Sequence, residues 1–154
     1  MQKRYIWSGI WLLYVGFIFC NSLTPATLSS QQSGAVLLAV QEVLRDVGLE
    51  YSGITEHIVR KSAHFAEYTL MGMLLYKTIS QYELGRELRM AVQALLTFLV
   101  PFCDETIQLY VEGRSGQVSD VWLDVVGVVF GTIVVMGYRV YRCRRRSINH
   151  DKKL

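Results

Sequence analysis

Charge is missing from long stretches of this chain. After Arg4 the next formally charged residue is Glu42, and later gaps run from Arg89 to Asp104 and from Asp124 to Arg139. A soluble fold of 154 residues has too little interior to hide three or four such segments and still present a polar surface. The same apolar content, 51% of the residues, excludes a disordered chain. Cysteine is scarce. Cys20, Cys103 and Cys143 make no disulfide framework, and no C-x-x-C pair is there to hold a structural zinc. No H-E-x-x-H occurs, so the zinc-hydrolase helix is absent. The net charge is only +3, and the basic residues collect at the tail and beside apolar runs. That distribution argues against nucleic acid as a partner.

What is present is a set of segments that can cross a bilayer. Four are expected, over about 5–22, 58–79, 90–110 and 118–138, followed by a basic tail over 139–154. A helix needs about 20 residues to cross the hydrocarbon layer. The last three have uncharged cores shorter than that, so each must draw in a polar end. The first segment follows Lys3 and Arg4, as a signal peptide would, but no clean A-x-A site comes after it. A retained helix is expected. The chain reads as a single all-α membrane domain.

Basic residues set the orientation. With the N-terminus inside, the inner segments hold twelve of the sixteen Lys and Arg, including Lys152 and Lys153. The outer segments hold Arg45, Arg60, Lys61 and Arg114. The positive-inside rule then puts both termini in the cytoplasm. Ten of the thirteen acids, Glu50 among them, fall on the outer side.

Between spans one and two, Ser22–Ser30 reads as a turn around Pro25. Gln31–Leu49 shows apolar residues at spacings of three and four, separated by charges. It is expected as an amphipathic helix on the outer face. Tyr51–Glu56 reads as a linker and helix start. Gly113 and Gly116 flank Arg114 and permit a tight turn that returns it toward the helix ends. Gly127 and Gly131 form a G-x-x-x-G pattern that predicts close helix packing. Cys20 and Cys103 fall near the outer face and are expected as apolar fillers. His57 and His150 are expected to be solvated.

Three polar clusters remain. Lys61, His64 and Tyr68 share one helical face, with Glu67 adjoining it. Asp104 and Gln108 are four apart with Glu105 beside them, and Asp120 and Asp124 are four apart. The alternation of spans brings all three clusters to the outer face. An ionised side chain at the bilayer centre costs about 2.5–3.5 kcal/mol on insertion scales. These groups should therefore face the bundle interior or a wet cavity. Carboxylates so close repel one another unless Lys61, Arg60 or Arg114 pairs with them.

An ion-paired network that only fixes helix ends would use some of these residues, but a histidine, several acids and an arginine exceed what packing needs. His64, Glu67, Asp104, Glu105 and Asp120 are the candidate acid–base groups. Lys61, Tyr68, Gln108, Arg114 and Asp124 are the candidate ligand contacts, the cations for a phosphate or carboxylate. A metal on His64, Asp104 and Asp120 is a third use, weakly signalled by a single histidine. Pro101, three residues before Asp104, is expected to free a backbone carbonyl near the site.

The run from Arg60 through Tyr68, the Asp104-Glu105-Thr106-Ile107-Gln108 segment, Gly113–Gly116, and Asp120 with Gly127 and Gly131 together resemble the VanZ-like family. The resemblance covers nearly the whole chain. It implies a small multi-pass plasma-membrane protein of bacteria, in a family whose name-giving member is associated with low-level teicoplanin resistance. It implies as partner an envelope lipid, a lipid-linked compound or a lipoglycopeptide. It supplies no cofactor and leaves open whether there is turnover. The family often has asparagine where this chain has Asp124, which adds a negative charge to the pocket.

Overall fold

Pro25, the glycines and the polar breaks divide the described residues into five helices. The computed structural model describes residues 2–48 and 53–151, with side chains through 146. Glu50, Tyr51, Lys152, Lys153 and the side chain of His150 lie outside the described residues. The helices are α1 (Gln2–Ser22), α2 (Ala26–Asp46), α3 (Glu56–Ile79), α4 (Arg86–Gln108) and α5 (Val118–Asp151). No strand occurs among the described residues.

The helix ends follow local chemistry. Pro25 stands at the N-cap of α2 with φ −56° and ψ 150°, an extended conformation that suits its fixed φ and breaks the helix before it. Consequently α2 begins at Ala26, ahead of the expected Gln31, and the turn shrinks to the residues around Pro25. The Thr55 hydroxyl accepts the Ile58 N–H at 3.4 Å and caps α3. Beyond Tyr138, α5 continues through the arginine cluster, since arginine favours helix and neither glycine nor proline follows Gly137.

Three helices are long and apolar enough to cross a membrane: α1, α4, and Val118–Arg146 of α5. The expectation of four is met for these three. Helix α3 has the length, 24 residues, but is not apolar enough. It is the central element and touches all four other helices. Its closest neighbour is α5, because the two meet through glycine. A Cβ on Gly72 would collide with the Val128 backbone, one on Gly131 with the Thr69 carbonyl, and one on Gly127 would stand 2.9 Å from the Phe65 carbonyl oxygen.

Trp11, Val15 and Ile18 of α1 pack with Tyr68, Met71, Leu75 and Ile79 of α3, Val100 of α4 and Val128 of α5. Outside this core, large apolar side chains point outward, Leu13 and Leu95 among them. So many outward apolar groups suit hydrocarbon better than water. Helix α2 has no buried residue and lies across the start of α3. The alternating directions gather the ends of α1 and α4, the starts of α3 and α5, and α2 at one end of the bundle.

Candidate functional site

The three polar clusters meet at that end. Lys61 donates to Asp120 Oδ1 at 2.9 Å, with both side chains about one-third exposed. One turn deeper, His64 Nδ1 stands 3.6 Å from Asp124 Oδ1, and Asp124 is fully buried. Asp104, also fully buried, accepts from Gln108 Nε2 at 3.3 Å through Oδ2. Glu105 accepts from the same amide at 3.1 Å and from the Gln117 backbone N–H at 3.0 Å.

The α4–α5 loop is closed onto Glu105. A Cβ on Gly116 would strike the Glu105 carbonyl oxygen, so only glycine lets the loop settle there. Gly113 has φ +73°, a left-handed conformation that glycine adopts without strain. This turn sends Arg114 back over the site. Arg114 donates to the Ser22 carbonyl at 3.2 Å and to Ser29 Oγ at 3.2 Å. It makes no salt bridge among the described residues. Burial, and then the nearby Arg60 cation, pull its guanidinium below its ordinary value. Arg60 donates to Ser30 Oγ and to Glu56, each at 2.9 Å.

Two cavities open here. A smaller one of about 120 Å³ lies over Lys61, Asp120 and Gln108. A groove of about 630 Å³ runs between α2 and α3, walled by Val36, Val40, Ile58 and Val59, with Gln32, Ser33, Asn21 and Glu67 along it. His64, Arg60 and Arg114 line both. Glu67 turns away from the buried acids and accepts from Asn21 at 3.0 Å.

Of the expected ligand contacts, Lys61, Gln108 and Arg114 lie on cavity walls. Tyr68 and Asp124 lie behind them, each with no exposed surface. For a metal, the structure substitutes partners. His64, Asp104, Glu105 and Asp124 each bring a donor atom within 4.8 Å of the others. Asp120 is not among the four, because Lys61 draws it toward the surface. Several buried atoms there have no hydrogen-bond partner: His64 Nδ1, Tyr68 Oη, Asp104 Oδ1 and both oxygens of Asp124.

Sequence reasoning missed Asn21, Ser22, Ser29, Ser30 and Gln117. The signal for the serines was the density of hydroxyls around Pro25, opposite two arginines with few acidic partners nearby. His57 is exposed and lines the smaller cavity. Cys20 and Cys103 are free. Pro101 is buried inside α4 and removes the N–H that would otherwise serve the Thr97 carbonyl.

A family model described as VanZ/LLP1 matches residues 7–141. No curated protein and no solved structure matches the chain.

Proposed function

The chain belongs to the VanZ/LLP1 family, and from that premise we propose that it is a four-span protein of the bacterial cell membrane that binds an anionic envelope amphiphile at its outer leaflet. In this reading α3 is the fourth span. Its 24 residues reach about 36 Å at 1.5 Å per residue. Lys61 pairs with Asp120 of α5, Glu67 meets Asn21 and Lys77 the Trp7 ring of α1, and Glu56 and Arg60 stay at the half-exposed outer rim. Both termini are cytoplasmic, and the arginines of α5 meet anionic inner-leaflet headgroups. Helix α2 lies along the outer surface as an amphipathic helix.

The observation that carries the reading is the pair Arg60 and Arg114 at the junction of two cavities. Arg114 holds only neutral oxygens beside a like charge, and an anion placed there relieves the repulsion. Guanidinium groups recognise phosphate and carboxylate through paired donors. The apolar wall of α2 and α3 takes the hydrocarbon part. A lipid-linked envelope phosphate and an acylated glycopeptide both have this chemistry. Teicoplanin resistance follows where the glycopeptide is the ligand.

The test is native mass spectrometry of protein purified in mild detergent. Wild type is expected to carry an envelope lipid that Arg114→Ala loses, while Glu42→Gln on α2 keeps it. Equal lipid content in wild type and Arg114→Ala would overturn the reading.

A second reading has its own observation. His64 faces the groove with Asp124 behind it at 3.6 Å, an imidazole–carboxylate arrangement suited to proton transfer. The protein would then be a membrane-embedded hydrolase or transferase for a lipid-linked substrate, with Glu67, Asp104, Glu105 and Asp120 as further candidates. Turnover of the bound lipid by wild type and its loss in His64→Gln would favour this second reading over simple binding.

A further inference from the structure

The interior of the site has more negative charge than its own cations can answer. Asp104, Glu105 and Asp124 gather there, while Glu67 goes to Asn21 and Asp120 to Lys61 at the edge, Arg114 holds neutral oxygens, and Arg60 pairs with Glu56. The surplus concentrates where water does not reach. Asp104 and Asp124 are fully buried and Glu105 nearly so. Burying carboxylates without partners is costly, and the cost is removed by a counter-ion or by protons.

We propose that His64, Asp104, Glu105 and Asp124 hold a divalent metal ion. Donors on one ion at about 2.0–2.2 Å stand about 3–3.6 Å apart when adjacent and about 4.4 Å apart when opposite. The four donor atoms lie within 4.8 Å of one another, so the side chains draw inward when the ion binds. The unpartnered atoms are the second, separate observation. Both oxygens of Asp124, one of Asp104 and Nδ1 of His64 are buried without a hydrogen bond, His64 Nδ1 and Asp124 Oδ1 facing one another only at 3.6 Å, whereas the large majority of buried side-chain polar atoms find a partner.

The support for the ligands is built. Gln108 holds Asp104 and Glu105 through one amide, and the Gln117 N–H holds the far oxygen of Glu105. Such outer contacts orient ligands toward a metal. A carboxylate oxygen that accepts one hydrogen bond keeps a lone pair for an ion. His64, on the wall of both cavities, gives the ion a way in. Three carboxylates with one imidazole and no thiolate select a hard to borderline ion of the Mg²⁺, Mn²⁺, Fe²⁺ or Zn²⁺ class. The inference goes beyond amphiphile binding and does not depend on it.

The test uses the full chain in detergent, stripped with a chelator and titrated with Mn²⁺. Pulsed electron paramagnetic resonance reads the coupling of bound Mn²⁺ to a ligand nitrogen. Wild type is expected to take up one saturable equivalent with a nitrogen coupling. His64→Gln should lose that coupling, and Asp124→Asn, which removes a direct ligand, should weaken affinity by at least the roughly 10–100-fold that loss of an outer contact costs. Glu42→Gln should match wild type. Arg114→Ala should keep the Mn²⁺ even where it loses the lipid, which separates this inference from the preceding one. Helical circular dichroism and elution volume guard against misfolding. A folded wild type with no saturable Mn²⁺ or Zn²⁺, or a nitrogen coupling that survives His64→Gln, would overturn the proposal.

Discussion

Alanine at Gly131 should drive α3 and α5 apart, whereas alanine at Gly137 on the same helix should not. The added Cβ at Gly131 would overlap the Thr69 carbonyl oxygen and stand 2.9 Å from its carbon and 3.1 Å from the Met73 nitrogen. Those atoms are backbone, and no side-chain rotation relieves them. One helix must retreat by roughly 1 Å or more before ordinary contact is restored, and overpacking of this kind costs about 1–3 kcal/mol. Against it stands the helix preference of alanine over glycine, about 1 kcal/mol. The net change for Gly131→Ala is a loss of up to about 2 kcal/mol. At Gly137 nothing lies within 4 Å of a new Cβ, so only the gain of up to about 1 kcal/mol remains. Thermal unfolding of both variants in one detergent, followed by circular dichroism, measures the contrast. Equal midpoints, or a Gly131→Ala variant more stable than Gly137→Ala, would refute the argument that backbone contact sets the α3–α5 spacing.

Replacing Lys61 and Asp120 singly and together should give a coupling energy of about 0.2–1 kcal/mol, because the pair is partly solvated; a double-mutant cycle on unfolding free energies reads it, and a value above about 3 kcal/mol would mean the pair is buried. Ile18→Ala should cost about 2–5 kcal/mol while Leu13→Ala, on the outward face of α1, stays within about 0.5 kcal/mol; similar losses would mean that α1 is turned differently. In chelator-treated protein, Asp124→Asn should raise the unfolding midpoint by removing an unanswered buried carboxylate. A lowered midpoint would show that the carboxylate is already well partnered.

Much of this architecture is written in where charge is absent. The gaps mark α1, α4 and α5, and their alternation requires that the polar ends of α3, α4 and α5 meet. The pairing within the site was not legible. Asp120 and Asp124 lie four apart on one helical face, and spacing alone does not say which meets Lys61. Depth decides it. Asp120 sits in the first turn of α5 near the rim, and Asp124 one turn further in, opposite His64. Glu67 adjoins the His64 face in sequence, yet Asn21 of α1 claims it, a contact between residues far apart in the chain. The serines that hold Arg60 and Arg114 read as turn formers because their hydroxyls are equally suited to that role.

Helix α2 has no fully buried residue. Among the described residues its polar side-chain ties to the bundle run from Arg60 to Ser30 and from Arg114 to Ser29. These are the same two guanidinium groups that face the groove. An anion that draws either one into a two-pronged grip takes it from a serine. Loading the groove and unfastening α2 are then a single exchange, one oxygen for another. If the groove binds an anion as proposed, α2 gives up one of these two ties while the ligand stays and regains it when the ligand leaves.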